Sequence, residues 1–513
     1  MRDMHTSFGK PSDFFGKYIV VMGLGLHGGG VAVAQWLYAQ GARVCVTDLR
    51  SERDLLSSVR AVRNFCGDFA VEHPDRKTIP IEWVLGEHRS EDMARADLII
   101  QNPGVPYSSP YLSLARTAGV PIMNEIMLFL FLTQKTPKIG VTGTRGKSTT
   151  VALIHSMLLT AYPRAVCVGI AGVGMKSFFS VIDTVLEHEA EHIADPVVME
   201  LSSYQLELFS KESIVPHISV VTNVLSDHLN RHATLEAYSE IKERIVRFQG
   251  AHDYAILNYD NSETHAMGKR YRNGTRWWFS RTHILNGPGA FLMPDSSGNS
   301  ARRMIGIREE DGAIEKVCFT EERALLGEHT IENILAAAAA ARCTGVPIAD
   351  IAETIRTFRG LPFRQEKIAN IQGRIWINDT AATSPDATIA ALHTFGSEKD
   401  KHIILIAGGA DKDLDFTNLA SVVTHFVKSI ILLSGTATPR LADALHRAGF
   451  SGGSMYANSM HDAVVSAYGV SGEGDVVLLS PGCASFGMFI HEFDRGEQFV
   501  REVGMLQSFL KML

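Results

Sequence analysis

The sequence predicts an α/β protein of three domains, each with a largely parallel sheet flanked by helices. Short runs rich in Val and Ile alternate with helical stretches along the chain, which is typical of parallel sheets covered on both faces. Glycine-rich turns lie between a strand and a helix in two places. The length of 513 residues fits about three domains at roughly 150 residues each.

The first strand–turn–helix unit predicts a Rossmann-like N-terminal domain. A strand at Tyr18–Met22 leads through a glycine-rich turn to a helix near Val31–Ala39 and then to a strand at Ala42–Thr47. A further strand, Asp97–Gln101, ends at an Asn-Pro-Gly turn. Because ligands of open α/β sheets bind outside the carboxyl ends of the strands, the glycine-rich turn is a candidate binding position.

A second βα unit begins at Lys138–Thr142 and predicts a central domain of the P-loop type. Strands at Pro196–Leu201 and His217–Asn223 are expected to extend its sheet. The segment Asn273–Glu322 is polar, Gly-rich and weakly patterned, so we expect hairpins and loops there. The alanine run in Ile331–Cys343 favours a tightly packed, buried helix.

A third unit begins near Gly360 and predicts a second Rossmann-like domain at the C-terminal end. Its expected strands are Ile375–Asn378, Lys401–Ala407, Ser429–Leu433 and Asp475–Leu479. The predicted domains are therefore residues 1–136, 137–361 and 362–513.

Composition and charge narrow the classes of function. The chain has 49 Lys and Arg against 56 Asp and Glu, a formal charge of −7, which argues against nucleic acid or an anionic membrane held by bulk charge. The most apolar run, Ile126–Leu132, is far too short to span a bilayer, and the N-terminus has no apolar signal core. Six scattered cysteines without a C-x-x-C pair indicate reduced thiols. The sequence therefore predicts a cytoplasmic protein without membrane insertion.

The first glycine turn has the pattern G-x-G-x-x-G. It runs from Gly23 to Gly28, and an acid, Asp48, ends the next strand twenty residues further on. Glycines there permit a tight turn and close approach of a ligand, and the following helix N-terminus attracts negative charge. The pattern ordinarily suggests NAD, but a UDP-sugar, or glycines that only pack a helix against a sheet, fit it as well.

The second glycine turn is a variant P-loop. The usual pattern G-x-x-x-x-G-K-[ST] would place a glycine at Val141, whereas the glycines here are Gly140 and Gly143. Backbone N–H groups of such a loop surround phosphate oxygens, while Lys147 would neutralise the β- and γ-phosphates and Ser148 would ligate Mg²⁺. A second nucleotide site in one chain weakens the hypothesis of a dehydrogenase.

Four further polar residues of the central domain are candidates for the site. Glu200 ends a buried strand, the usual position of an acid linked to Mg²⁺, although a surface glutamate at the sheet edge fits too. His228 follows the next strand and is either a metal ligand or a structural histidine. Lys242, taken alone, is a solvated lysine on a helix. Asn333, near a helix start, either contacts an adenine edge or caps the helix.

Three strand-end segments of the third domain carry hydroxyls, acids or a lysine. They are residues 378–383, 408–412 and 480–486. Each segment alone is compatible with the ordinary turn chemistry of Asn, Asp, Gly and Ser. Because the carboxyl ends of parallel strands meet at one edge of a sheet, a shared ligand site is the preferred hypothesis.

Taken in order, the motifs resemble the Mur ligase family over nearly the whole chain. The matching segments are GLGLHG at 23–28, NPG at 102–104, TGTRGKST at 142–149, ELSSYQLE at 200–207, NVLSDHLNRH at 223–232, Tyr238-x-x-x-Lys242, GEHTIEN at 327–333, LPFR at 361–364, NDTAAT at 378–383, GGADKDLDF at 408–416 and SPGCASFGMF at 480–489. The resemblance implies a three-domain, ATP-dependent ligase of bacterial peptidoglycan synthesis.

The resemblance also implies roles for single residues. The first domain would bind the UDP end of a substrate, and not NAD, through Gly23, Gly25, Leu26, His27, Gly28, Asp48, Arg50, Asn102, Pro103 and Gly104. ATP would be bound by Gly143, Thr144, Arg145, Gly146, Lys147, Ser148, Thr149, Asn333, Arg364 and Asp379. Mg²⁺ would be held by Ser148, Glu200, His228 and Lys242, the last as a carbamate formed with CO₂. The expected catalytic residues are Lys147, Glu200, His228 and Lys242.

The implied reaction joins an amino acid to UDP-N-acetylmuramoyl-L-alanine through an acyl phosphate. D-glutamate is the first choice, with Thr383, Lys412, Ser485 and Phe486 in its pocket. Two departures alter that pocket, since Ala381 replaces a lysine of the family and Glu492 replaces an aromatic residue. L-glutamate or another amino acid stays an alternative, as does a ligase like folylpolyglutamate synthase, which leaves the N-terminal domain unexplained. The expected protein is a monomer.

Overall fold

The polypeptide forms three β-sheets flanked by helices, so the predicted fold class is confirmed. The computed structural model describes residues 8–26, 28–170, 176–226, 229–232, 234–295, 302–397 and 400–512. The chain divides into two compact units, of which the first contains two sheets and the second contains one. Glu332–Thr354 belongs to the first unit, whereas Arg323–Ile331 and the chain from Ile355 belong to the second.

The first sheet has five parallel strands in the order β3-β2-β1-β4-β5. The strands are β1 Tyr18–Met22, β2 Arg43–Asp48, β3 Glu82–Leu85, β4 Leu98–Gln101 and β5 Ile122–Met123. The helices are Gly29–Ala39, Leu56–Glu72, Ser90–Arg95, Pro110–Thr117 and Glu125–Leu132, with a 3₁₀ turn at Pro11–Phe14. Because the strand order reverses between β1 and β4, the two predicted binding turns are neighbours.

The second sheet has nine strands in the order β14-β13-β12-β11-β10-β9-β6-β8-β7. The strands are β6 Lys138–Thr142, β7 Val166–Val168, β8 Val197–Glu200, β9 Ile218–Val221, β10 Tyr254–Asn258, β11 Thr275–Ser280, β12 Gly289–Pro294, β13 Arg303–Arg308 and β14 Ile314–Phe319. The predicted strands that precede Glu200 and Asn223 are confirmed, and both are parallel neighbours of β6. This pairing brings three strand ends to the P-loop.

The segment Asn273–Glu322 is more regular than its composition suggested. Antiparallel hairpins are present in β12, β13 and β14, as expected. In contrast, β11 and β12 continue the parallel part of the sheet beyond β10. The physical reason is burial, because Trp277, Trp278 and Phe279 in β11 are at most 8% exposed and need the sheet to cover them.

The second sheet is accompanied by helices and short turns. They are Lys147–Leu158, Ile182–Ala190, Ser203–Leu206, Leu229–His232, Leu235–Arg247, Ser262–Arg270, His329–Cys343 and Ile348–Thr357, with 3₁₀ turns at Phe178–Ser180 and Thr320–Glu322. The predicted burial of the alanine-rich helix is confirmed, since Ala336 to Ala341 are all fully buried. Small side chains there allow close approach of the neighbouring elements.

The third sheet has six strands in the order β15-β16-β20-β17-β18-β19. The strands are β15 Glu366–Ile371, β16 Arg374–Asn378, β17 Ile403–Ala407, β18 Val427–Leu433, β19 Gly453–Ala457 and β20 Val476–Leu479, all parallel except β15. The helices are Pro385–Phe395, Thr417–Phe426, Thr438–Arg447, Met460–Val470 and Glu492–Met512. Each of the four predicted strands is confirmed. Within the described parts of the chain, every helix is too short or too polar to cross a membrane.

The alanine-rich helix generates a stability prediction. Ala338→Leu is expected to lower the free energy of unfolding by roughly 1–3 kcal/mol, because the added atoms have no space in a closely packed interior. Chemical denaturation measures this change. The matched control is Ala61→Leu, at an exposed helical position, which should leave the free energy nearly unchanged. Equal effects of the two substitutions would contradict the tight packing of the helix.

Candidate nucleotide and substrate site

The glycine turn after β1 is held by a buried carboxylate. Asp48, at the end of β2, accepts hydrogen bonds from the backbone N–H groups of Leu24 and Gly25 at 3.1 and 3.3 Å. Its other oxygen accepts hydrogen bonds from Arg50, from the backbone N–H at 3.0 Å and from Nε at 3.3 Å. Arg50 and Leu26 are about half exposed. The acid therefore orders the turn, and the Arg50 guanidinium lies at its rim.

The Asn-Pro-Gly turn after β4 packs against this glycine turn. A Cβ atom at Gly23 would lie 2.8 Å from the Cβ atom of Asn102, and Gly23 also has a φ of +90°. The Oδ1 atom of Asn102 accepts a hydrogen bond from the N–H of Gly104 at 3.0 Å. Gly28 precedes the helix Gly29–Ala39 with a φ of +84°. The structure thus brings together the predicted Gly23, Gly25, Leu26, Gly28, Asp48, Arg50, Asn102, Pro103 and Gly104. The predicted His27 lies outside the described residues.

The glycine loop after β6 is anchored by the segment after β9. The N–H of Thr144 donates to the backbone oxygen of Asn223 at 2.9 Å, and the N–H of Arg145 donates to its Oδ1 at 3.0 Å. The Thr222 hydroxyl and the Asn223 amide donate in turn to the backbone oxygen of Arg145, at 2.7 and 3.3 Å. A Cβ atom at Gly143 would lie 1.9 Å from the Thr222 hydroxyl. Only glycine therefore fits at that position.

The second glycine of the loop lies against Asn333. Gly146 has a φ of +82°, and a Cβ atom there would approach the Oδ1 of Asn333 to 2.1 Å. Asn333 is buried and is the fifth residue of its helix, which begins at His329. The alternative that Asn333 caps a helix is therefore wrong. Its amide instead borders the loop that is expected to bind phosphate.

The loop leads into the helix Lys147–Leu158, whose first N–H groups carry partial positive charge. The Nζ atom of Lys147 donates to the backbone oxygen of Thr144 at 3.1 Å. Ser148 is 5% exposed, and Thr149 occupies the same first turn. All seven predicted residues of the loop thus form one strand–loop–helix unit.

A half-buried carboxylate and a buried amine lie beside this loop. Glu200 pairs with Val141 in the sheet, and its Oε2 atom is buried without a hydrogen-bond partner among the residues that the structure describes. Lys242 is 1% exposed, and its Nζ atom donates to the backbone oxygen of Gly143 at 2.8 Å. The interpretation of Lys242 as a solvated lysine is therefore wrong. Since a buried carboxylate oxygen without a partner is costly, the Oε2 atom of Glu200 fits a cation at this edge. The predicted His228 lies outside the described residues.

The strand-end segments of the third sheet meet at one edge. The N–H of Gly482 donates to the backbone oxygen of Ala382, and the N–H of Ala410 donates to that of Ala484, both at 2.9 Å. All three predicted segments are therefore in contact. Their common ligand stays a prediction.

Asp379 lies at this edge in a closed environment. Its carboxylate accepts hydrogen bonds from the Ser480 hydroxyl at 2.7 Å and from the N–H of Gln365 at 3.2 Å. Burial raises the pKa of Asp379 to about 7, while the Ser480 bond, the Gln365 bond, Arg364 and Arg495 act in the opposite direction. A carboxyl with this pKa changes its charge near neutral pH, so it responds to whatever binds beside it.

The predicted amino-acid residues differ in exposure. Ser485 is 2% exposed, and its Oγ atom is buried without a hydrogen-bond partner in the described part of the chain. Phe486 is 56% exposed, Lys412 is exposed and Thr383 is partly buried. The buried Ser485 hydroxyl is available to a ligand, because an unpaired buried polar atom costs free energy until it forms a hydrogen bond.

The two pocket residues that differ from the family pattern, Ala381 and Glu492, lie close together. The hydroxyl of Thr380 donates to the backbone oxygen of Glu492 at 2.7 Å, so Ala381 and Glu492 belong to one region. Arg495 is fully buried and donates to the hydroxyl of Thr380 at 3.0 Å and to the backbone oxygen of Cys483 at 3.3 Å. Arg495 was not predicted, because an arginine on a long helix carries no local signal that it points inward.

Comparison with known proteins decides the family. Residues 17–124 match the Mur ligase MurD-like N-terminal domain, residues 141–341 the Mur ligase middle domain and residues 363–483 the Mur ligase glutamate ligase domain. A protein of Roseiflexus sp. (strain RS-1), named UDP-N-acetylmuramoylalanine–D-glutamate ligase, is 40% identical over 494 residues, which are 95% of this chain and 98% of that protein. The chain belongs to the Mur ligase family.

Other known proteins agree with this membership. A protein of Symbiobacterium thermophilum with the same name is 36% identical over 479 residues, which are 93% of this chain and 96% of that protein. The crystal structure of UDP-N-acetylmuramate-alanine ligase MurC from Thermotoga maritima has a TM-score of 0.59 and 20% identity. It covers 96% of this chain and 100% of its own, and it supports the fold alone. As a Mur ligase, the chain is an enzyme of the ligase class.

In this Mur ligase, Gly146→Ala is expected to weaken ATP binding at least tenfold. The added Cβ atom collides with Asn333 and the backbone conformation is unfavourable for any other residue, so the loop must move. Isothermal titration calorimetry with ATP measures the effect. Gly67→Ala, where a Cβ atom meets nothing within 4 Å, is the control and should bind ATP like the wild type. Unchanged affinity of Gly146→Ala would contradict the role of the loop.

Proposed function

We propose that this Mur ligase joins D-glutamate to UDP-N-acetylmuramoyl-L-alanine and converts ATP to ADP and phosphate. The main support for this proposal is the set of polar groups around the loop after β6. Anchored backbone amides, the Lys147 amine, the unpaired Glu200 carboxylate and the buried Lys242 amine surround the loop after β6. The names of the similar proteins from Roseiflexus and Symbiobacterium support D-glutamate as the amino acid.

The proposed reaction has two steps, phosphorylation of the substrate carboxylate and formation of the amide. First, a carboxylate oxygen of the alanyl end attacks the γ-phosphorus of ATP, and the bond between that phosphorus and the bridging oxygen of ADP breaks. Second, the glutamate amine attacks the acyl carbon, phosphate leaves, and the nitrogen gives up a proton as the amide forms. Both steps gather negative charge near the phosphate. Loop N–H groups and Lys147, already oriented by the fold, stabilise that charge without reorganisation.

The proposed ATP contacts begin with the strand–loop–helix segment after β6. Within residues 143–149, the backbone N–H groups that do not donate to Asn223 would surround the phosphates, and Asn333 would face the nucleotide across Gly146. Arg364 and Asp379 are proposed to contribute to the phosphates and the ribose. The pKa of Asp379, about 7, allows it to accept hydrogen bonds as a carboxylate once a ribose hydroxyl or a cation lies beside it.

Mg²⁺ and a carbamate fit the residues beside the loop. The unpaired Oε2 of Glu200 and the Ser148 hydroxyl are oxygen donors of the kind that Mg²⁺ prefers, and His228 is proposed to join them. When bound, the cation would neutralise charge on the phosphates. A carbamate on Lys242 would turn a buried amine into a carboxylate, which explains a lysine at a position with so little solvent. The role of this chain's own residues is to hold these groups in register with the loop.

The substrate end is proposed to bind at the two turns of the first sheet. Asp48 is already engaged by Leu24, Gly25 and Arg50, so its task is to hold the glycine turn rather than to bind a ribose as in NAD enzymes. The diphosphate of UDP would then be bound by turn N–H groups at the start of the helix Gly29–Ala39 and by the exposed Arg50.

The amino acid is proposed to bind in the second unit, with Thr383, Lys412, Ser485 and Phe486 as its contacts. The unpaired Ser485 hydroxyl supports a polar ligand there. Ala381 and Glu492 make the pocket less positive than a lysine and an aromatic residue would, so L-glutamate or another amino acid is the second candidate. We propose the domain limits 1–136, 137–361 and 362–513 and a monomer that acts in the cytoplasm, where its six free cysteines would stay reduced.

Phosphate release with a panel of amino acids tests the function. The protein is mixed with ATP, Mg²⁺ and UDP-N-acetylmuramoyl-L-alanine, and D-glutamate, L-glutamate, L-lysine or diaminopimelate is added separately. We expect phosphate with D-glutamate and much less with the others. Phosphate release with L-glutamate but not with D-glutamate would change only the assignment of the amino-acid substrate. The absence of amino-acid-dependent phosphate with the whole panel would refute the ligase function.

Removal of the Lys242 side chain tests whether its proposed carbamate is needed for the reaction. Lys242→Ala is expected to lower kcat by at least a hundredfold, because the position can no longer supply a carboxylate. Added formate or acetate should restore part of the activity by occupying the vacated space. Lys269→Ala, at an exposed helical position of the same unit, is the control and should retain full activity. Full activity of Lys242→Ala would show that the carbamate assignment is wrong.

A further inference from the structure

A nearly buried ion pair joins two segments that flank the ATP loop. Arg231 donates to both carboxylate oxygens of Glu207, from NH2 at 2.7 Å and from Nε at 2.9 Å. The Arg231 side chain is 17% exposed and that of Glu207 is 10% exposed. Two parallel hydrogen bonds fix direction as well as distance, so this pair sets the relative position of its two segments.

Arg231 also reaches the turn that is proposed to hold the substrate. Its NH2 group donates to the backbone oxygen of Val105 at 3.3 Å. Val105 directly follows the Asn-Pro-Gly turn after β4 and donates its own N–H to the backbone oxygen of Asn102. The guanidinium lies 5.2 Å from the centre of the Tyr204 ring, which covers it on one side. Arg231 therefore links the first sheet to the second within one compact unit.

The neighbouring His232 continues the connection towards Lys242. It is 6% exposed, and its Nε2 atom lies 3.1 Å from the hydroxyl of Ser203, in the short helix after Glu200. Its ring stacks on that of Tyr238, with centres 5.2 Å apart. The Tyr238 hydroxyl lies 3.4 Å from that of Thr144, and its ring lies 4.7 Å from the Nζ of Lys242.

We propose that Glu207, Arg231 and His232 form a positioning clamp for the ligase reaction. The clamp is defined by these three residues. It contacts the substrate turn through Val105, the segment after Glu200 through Ser203, and the helix of Lys242 through Tyr238. Its effect is to hold the acyl end of the UDP-substrate in line with the γ-phosphate, and this inference depends on the proposed function.

Contacts in three directions matter because the rate of phosphoryl transfer is sensitive to distance. A displacement of about 1 Å between the attacking oxygen and phosphorus costs roughly a hundredfold in rate. The loop after β6 is already fixed on its own strand neighbours by Thr222 and Asn223. The substrate turn lies in a different sheet and needs its own link. Arg231 supplies it, since one guanidinium can serve both the Glu207 carboxylate and the Val105 carbonyl.

The test separates binding of the two substrates. Arg231→Lys keeps the charge but loses the double hydrogen bond, and Glu207→Gln keeps the shape but loses the charge. For both variants we expect the Kd for UDP-N-acetylmuramoyl-L-alanine, measured by calorimetry without ATP, to rise about tenfold. The Kd for ATP should stay within twofold, because the contacts of Thr144, Arg145 and Gly146 remain. The kcat for phosphate release should fall at least tenfold.

An exposed ion pair in the same unit provides the control. Arg164→Ala removes an exposed ion pair with Glu191 in the same unit and should change none of these values. In Arg231→Lys combined with Glu207→Gln, the Kd for the UDP-substrate should match that of either single change, because the pair acts as one element. An unchanged Kd for the UDP-substrate, or an equal rise in both Kd values with a lower melting temperature, would overturn the clamp. A wild-type protein that releases no phosphate but binds the UDP-substrate in this way would refute only the proposed function.

Discussion

The rest of the site depends on the hydrogen bonds between the end of β6 and the end of β9. The glycine loop is supported by a neighbouring segment, because the N–H groups of Thr144 and Arg145 donate to Asn223. Thr222 and Asn223 therefore hold it from the side, with Asn223 serving as both donor and acceptor. Gly143 and Gly146 are required for the same reason, since their neighbours occupy the space of a side chain. A loop held in this way presents its charge before the ligand arrives, which is how electrostatic stabilisation becomes effective.

Buried polar groups mark the functional edges of both units. The Oε2 atom of Glu200 and the hydroxyl of Ser485 lack hydrogen-bond partners among the described residues, whereas Asp48, Asp379 and Arg495 are bonded to the protein itself. At these edges, Asp48, Asp379 and Arg495 hold loops, and Glu200 and Ser485 are proposed to contact ligands. Burial lowers the pKa of Arg495 to about 10, yet its hydrogen bonds to Thr380 and Cys483 keep two strand-end segments together. Structural charges of this kind are expensive to remove, because the remaining partner is left unpaired.

The overall charge of −7 is compatible with the two proposed anionic substrates, because their affinity would depend on local groups. In the first sheet, Asp48 lies where a negative charge would repel a diphosphate. Its charge is instead taken up by turn N–H groups and by Arg50. The acid thus stabilises the turn that is proposed to bind the anion, and the helix N-terminus and Arg50 would supply the attraction. Net charge describes long-range steering, whereas affinity depends on the groups in contact.

The sequence by itself determined the α/β class, most of the strands and the positions of the glycine turns. These features depend on neighbours along the chain: Val and Ile runs form strands, and glycine permits the backbone angles of a turn. Membership of the Mur ligase family followed from the order of the motifs. Only the tertiary structure decided that Asn333 borders Gly146 and does not cap its helix, that Lys242 is buried, and that Trp277 to Phe279 extend the sheet. It also revealed the contacts of Arg231, His232 and Arg495. These residues act across distances of tens to hundreds of positions along the chain, and local sequence carries no signal for which side chain a distant one will meet.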